Sequence, residues 1–345
     1  MRHFLTLKTP RAIKSQRSQD FGSQDFGSQR PCRWLLLGLL ILGCGNPPVE
    51  TPVASPDGDM RDWAPESAKY IVHLFPKRLF ATPAFRTVVD PLFPPAGRQA
   101  FADRTGVYLE EIEEALFASL DEGRFLIIVR TVDAPAVVRA AAMRMNTLEV
   151  EADEPFVRRV GFLGTERREL VALGPSLLVV GAGAGVEIAT LLEALAHGRR
   201  PPSALASDDG RRLLESADAA PLTVFLPKPL DLPRDTGIGL VLAQERAASV
   251  VVTPTTDTAD LKVTVIGELP PGGDTNLRRF FEALGQSELG TLLGINQTLQ
   301  SLDLTVNQDQ TTIRAQWPVA PLSRGLRVLL VDDIDALLRE PVFAE

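Results

Sequence analysis

Three apolar runs set close together constrain this chain more than any other feature. Residues 158–163, 169–173 and 176–180 are separated only by a short segment from Gly164 and by Gly174-Pro175. Antiparallel neighbours can be joined by a few turn residues, whereas a parallel pair needs a crossover of a dozen or more. The spacing predicts hairpins and an antiparallel sheet. The pattern recurs at 248–253 and 261–269, joined by a Pro-Thr-Thr-Asp turn, and at 302–306 and 312–317, which alternate around residues 307–311. Further strands are predicted at 70–75, 124–132 and 222–226.

Helical signals lie between them. Leu109, Ile112, Leu116 and Leu120 stand at helical spacing, which predicts an amphipathic helix over 108–120. Thr82-Pro83 and Asp133 with Pro135 open two more, the second running to about Met145. Residues 186–196 form a helix closed by Gly198, and Ser207 caps another through Leu214. Asp274 caps a helix through Leu284; 289–299 and 323–339 complete the set. Hairpin strands mixed with helices give an α+β class. We read two consecutive halves, each an antiparallel sheet with helices, over 68–218 and 219–345. A short echo suggests a duplication: Leu74-Phe-Pro-Lys-Arg-Leu79 returns 151 residues later as Phe225-Leu-Pro-Lys-Pro-Leu230.

The charge is unevenly placed. The net is -8 over 345 residues, yet residues 1–43 hold seven basic and two acidic residues. The remaining 29 basic and 42 acidic residues leave a body of -13. Such a body argues against general nucleic-acid binding. After Arg33 comes Trp34-Leu-Leu-Leu-Gly-Leu-Leu-Ile-Leu-Gly43, then Cys44. As a helix this run spans about 15 Å, half the hydrocarbon core of a bilayer, which suits a signal peptide and not a span. Residues 45–66 carry Pro47, Pro48, Pro52, Pro56 and Pro65 and read as a semi-extended, disordered tether.

Ile41-Leu42-Gly43-Cys44 resembles the lipobox of bacterial lipoproteins, the class processed by signal peptidase II. The resemblance implies cleavage after Gly43 of a signal peptide over 1–43. It also implies acylation of Cys44 and, with Gly45 following, forwarding to the outer membrane, facing the periplasm. The domain plan is then signal peptide 1–43, lipidated cysteine and tether 44–67, and the two halves. The body is also similar to exported bacterial families of unknown function with repeated α+β units. Cys32 leaves with the leader and Cys44 takes the lipid, so the mature body holds no thiol for catalysis, disulfides or metal binding.

Several motifs invite chemistry. Gly181-Ala-Gly183-Ala-Gly185-Val186 follows a strand and opens a helix, as a dinucleotide phosphate loop does. Its third glycine comes one residue early and no terminal acid follows, so we expect a strand-to-helix turn and no nucleotide. Asp332, Asp333 and Asp335 follow an apolar run like a receiver or Walker B strand, but they fit the final helix. Glu110, Glu111, Glu113 and Glu114 are expected on the solvent side of the 108–120 helix. His73 is expected inside the first strand, and His197 at a helix C-terminus. No Gly-x-Ser-x-Gly elbow accompanies either histidine. The doublets 158–159, 167–168, 199–200 and 211–212 are expected as separate surface arginines.

The expectation is a lipid-anchored envelope protein without enzyme activity, cofactor or metal. It is held to the membrane by acyl chains on Cys44 and binds a partner protein or an envelope polymer. A carrier of a hydrophobic ligand and an envelope hydrolase working through scattered carboxylates are the alternatives.

Overall fold

The computed structural model describes residues 58–339, apart from 106, 132, 144, 150–155, 164–165, 218–219, 231–238, 240–241 and 243. The leader, Gly43, Cys44 and most of the tether lie outside the described residues.

The chain is α+β. Among the described residues twelve strands form one sheet in the order β11-β12-β10-β9-β8-β1-β2-β3-β7-β6-β5-β4, and every neighbouring pair is antiparallel. The first half contributes β1 (Tyr70–Leu74), β2 (Glu114–Ser119), β3 (Phe125–Arg130), β4 (Asn146–Glu149), β5 (Val157–Leu163), β6 (Glu166–Leu173) and β7 (Leu177–Ala182). The second contributes β8 (Leu222–Leu226), β9 (Glu245–Pro254), β10 (Thr258–Gly267), β11 (Asp303–Asn307) and β12 (Gln310–Pro318). The helices are α1 (Pro76–Ala81), α2 (Pro83–Val89), α3 (Pro95–Thr105), α4 (Ala134–Ala142), α5 (Gly185–Ala196), α6 (Asp208–Ser216), α7 (Gly273–Gln286), α8 (Glu288–Leu293), α9 (Ile295–Thr298) and α10 (Val319–Arg339).

The halves are continuous. They meet at the β1–β8 pair, with Ile71 opposite Phe225 and His73 opposite Thr223. Outward from this seam the strand order is the same on both sides. β1-β2-β3-β7-β6 runs one way and β8-β9-β10-β12-β11 the other, and β5 and β4 extend the first half.

The six-residue echo is out of phase with this order. Leu74 pairs with Leu222 and packs against the cluster on one face; Phe225 lies in the cluster on the other. Phe225 stands three residues along β8 from Leu222, and side chains alternate along a strand, so positions 74 and 225 of the echo lie on opposite faces. Pro76 moreover starts α1, whereas no helix follows Pro227 through residue 230.

Each face carries a cluster. The first gathers Ile71, Leu116, Leu126, Ile128, Val179 and Phe225 under α5, α6 and the Met60–Trp63 turn. The second gathers Phe117, Phe125, Ile127, Val129 and Leu178 with Phe80, Phe101, Val137 and Val138 from α1, α3 and α4. With helices on both faces, β2, β3 and β7 are buried almost throughout.

The expected helix over 108–120 is the main departure. Leu109–Glu111 form one short 3-10 turn, and Glu114–Ser119 are β2. A strand buried on both faces shows no alternation. Its apolar run then mimics helical spacing. Two expectations on caps resolve differently. Asp133 caps α4, its carboxylate accepting from the Ala136 N–H at 2.9 Å with φ of 54°. Thr82 stands at the start of α2, but its hydroxyl donates backward to the Leu79 carbonyl.

Candidate functional site

An open polar groove lies on the second half of the sheet, on the face that carries α6. Register places Asp260 between Thr253 and Gln316, and Lys262 between Val251 and Arg314. These side chains, with Ser216 at the end of α6, Ala220 beyond it and Ser301 before β11, line about 600 Å³. The Lys262 ammonium donates to the Ser216 carbonyl at 2.8 Å, where the C-terminal end of α6 favours a cation. Ser301 Oγ accepts the Gln316 N–H at 2.8 Å. Asp260 keeps one buried carboxylate oxygen without a hydrogen-bond donor among the described residues. Arg314 is exposed. The groove thus offers donors and acceptors on rigid strands.

The sequence candidates disperse. Glu114, expected on a solvated helix face, is largely buried at the start of β2. His73 Nε2 lies 2.9 Å from its Oε1, and Arg130 Nε donates to Oε2 at 3.2 Å. An ionised carboxylate only accepts, so His73 carries its proton on Nε2. Burial pushes the Glu114 carboxyl up, but the bonds to His73 and Arg130 prevail and hold it below the usual range. The His73 ring stands edge-on to Phe75, 4.8 Å between centroids. Glu110 instead pairs with the buried Arg98 at 2.6 Å, and Glu111 and Glu113 are exposed.

The sequence reading missed the His73–Glu114 pair because it placed Glu114 on a helix. No local signal marks it: the run 115–119 is buried on both faces, and only the β1–β2 register brings residue 73 near 114.

The glycine run is a strand-to-helix turn. A Cβ on Gly181 would stand 2.6 Å from Ile188 Cδ1, so that glycine lets α5 close on β7. Gly183 has φ of 62°, a conformation that L side chains rarely adopt. Two carboxylates, Glu169 and Glu187, sit at the start of α5, where a phosphate would have to lie.

The arginine doublets are engaged separately. Arg158 bonds Glu169 at 2.7 Å, Arg199 pairs with Glu193, Arg200 with Asp62 and Arg211 with Asp208. Arg212 joins Asp309 at 2.8 Å, and Arg246 joins Asp209 at 2.9 Å beside it. Arg168 is buried over the Phe125 ring, and desolvation lowers its pKa to about 10. His197 ends α5, its Nδ1 2.7 Å from the Glu193 carbonyl. Asp332, Asp333 and Asp335 fall within α10.

Among the described residues no three His, Cys, Asp or Glu side chains gather as metal ligands, and no helix is long and apolar enough to cross a membrane. No family model and no curated protein matches the chain. Solved structures of TP0453 are similar in backbone course. Crystal form I aligns with a TM-score of 0.47 at 10% identity over 81% of this chain and 99% of that one. Crystal form III gives 0.48 at 9% over 79% and 99%, and crystal form IV 0.47 at 9% over 76% and 94%.

Proposed function

We propose that this chain is a lipid-anchored protein of the bacterial cell envelope that acts by binding and not by catalysis. The observation that carries the reading is the order of its N-terminal features. A basic leader, a ten-residue apolar run, Gly43-Cys44 and a proline-rich tether precede the α+β body. Acylation of Cys44 would supply attachment. Each buried methylene contributes about 0.8 kcal/mol, and two or more chains hold stably where one does not. An acidic body is repelled by an anionic membrane surface, so the tether has the use of holding it clear. The groove around Asp260, Lys262 and Arg314 supports the binding part of the reading. It would receive polar groups of a partner protein or an envelope polymer.

Cys44→Ser is expected to move the chain from the membrane to the soluble fraction and to abolish labelling by radioactive palmitate. Unchanged fractionation and labelling would overturn the anchor. Arg314→Glu, on an exposed strand position, is expected to reduce capture of the bound component from envelope extract several-fold without lowering the melting temperature. Equal capture by both forms would remove the groove from the proposal.

A further inference from the structure

A second groove, on the first half, is lined by a glutamate whose buried carboxylate oxygen has no hydrogen-bond partner among the described residues. It lies where the Met60–Trp63 turn, the start of α5 and the Pro201-Pro202 segment come together, and it encloses about 460 Å³. Its walls are mainly apolar: Trp63, Pro65, Val186, Leu191, Pro201 and Pro202. Ligand sites commonly have this make-up, apolar walls of a few hundred Å³ with a few placed polar groups.

Glu187, in the first turn of α5, is the placed group. Its side chain is only 10% exposed. Oε1 accepts from the Ser67 hydroxyl at 2.9 Å and, more distantly, from Arg124 Nη1 at 3.3 Å. Arg124 Nη1 also reaches the Gly183 carbonyl at 3.4 Å, so its charge is shared. Oε2 is buried and has no hydrogen-bond partner among the described residues. Leaving a buried ionised acceptor unmade costs more than a neutral one, and the penalty is removed only by a donor. Ser67 and Arg124 hold the carboxylate from two other parts of the chain, so it is oriented before any ligand arrives.

The remaining polar groups of the groove, Glu66, Ser67, Thr190 and Lys228, place one further acid and one base at its edge. Residues 45–58, which lead into the Met60–Trp63 turn, contain no Lys, Arg or His. The segment leading into the groove therefore has no cation of its own to offer Glu187.

We propose that this groove binds an alkyl chain ending in an ammonium or guanidinium group, the cation donating to Glu187 Oε2 and the alkyl part lying against Trp63 and the prolines. The same chemistry is found in a free amine and in a lysine or arginine side chain of a partner. This site is separate from the groove around Asp260 and does not depend on the anchoring proposal.

The test uses the full chain titrated with n-butylammonium, n-butylguanidinium, a short end-capped peptide whose only charge is one central lysine, and n-pentanol as the neutral isostere. Saturable binding of the cations is expected, weakening as salt rises. Glu187→Gln should weaken it at least tenfold while the melting temperature shifts little. Thr190→Arg, which places a competing cation at the groove edge and leaves Glu187 intact, should weaken it as well. Tighter binding of the lysine peptide than of the free amines would identify a protein as the source of the cation; the reverse would identify a small amine. Pentanol binding as well as butylammonium would overturn the proposal. So would cation binding unchanged by Glu187→Gln, or no cation binding at all, which would leave Oε2 to a buried water.

Discussion

The two halves share a strand order and treat the same face of the sheet differently. In the first half, α5 follows the last strand, β7, and folds back across the face of the first cluster. In the second half, α10 follows β12 and packs on α2 and α8, on the opposite side. That face of the second half is left with α6, which the first half supplies and which contacts β9 and β10. Beyond the reach of α6 the strands alternate, with Thr253, Arg314, Gln316 and Asp303 exposed and Ile313 and Ala315 buried. One helix placement therefore decides whether a strand reads as a continuous apolar run or as a clean alternation. It also decides where the open polar groove lies.

The comparison is most directly broken in the core. Ile128 on β3 is fully buried, and Lys262 lies on the matching strand, β10, on the same face. Ile128→Ala is expected to cost about 2–5 kcal/mol. Lys262→Ala, which removes one side-chain bond at a half-buried position, should cost about 1 kcal/mol. Chemical denaturation of both variants measures the difference; equal losses would mean that the second half is covered as fully as the first.

Two glutamates sharpen it. Glu114 begins β2 and Glu245 begins β9, the matching strand. Both are shielded, yet they shift in opposite directions. Glu114 is held below the usual range because His73 and Arg130 outweigh its burial. Glu245 is pushed up by burial, which the Leu230 N–H at 3.1 Å opposes without overcoming.

A lowered carboxyl stabilises the fold above its unfolded pKa, and that contribution is lost as pH falls through the folded value. A raised one stabilises below its unfolded pKa and loses the contribution as pH climbs through the folded value. Glu114→Gln should therefore destabilise at neutral pH, by about 1–3 kcal/mol, and by less as the medium is acidified below the carboxylate range. Glu245→Gln should stabilise at neutral pH and have no effect below about pH 4. Melting curves across pH 3–7 would show the two variants moving in opposite directions. Movement in the same direction would remove the contrast.

The second half was the more legible in sequence for the same reason. With one face open, 312–317 alternates and declares itself a strand. In the first half, Ala115-Leu-Phe-Ala-Ser119 is buried on both sides, and nothing in the run distinguishes strand from helix. Caps were readable wherever a side chain bonds locally, as Asp133 and Ser207 do. α1 and α3 gave no usable period; Phe101 and Ala102 are adjacent residues and mark no stripe. The candidate sites were least legible of all. Asp260 and Arg314 lie 54 positions apart, and Glu187 meets Ser67 across 120. Only the register and the helix crossings bring them together.

The β1–β8 seam has a consequence in time. Ile71 must wait for Phe225, more than 150 residues later, before the outer side of β1 is paired. At synthesis rates of roughly 5–20 residues per second, that interval is about 10–30 s. Until β8 arrives, the first half is a sheet with a bare edge at its innermost strand, which any other unpaired strand could occupy. A chain broken off before residue 222 would keep that edge for good. The half that looks self-sufficient in its packing thus depends on its successor to close its inner edge, and the chain is finished, in the folding sense, at its middle.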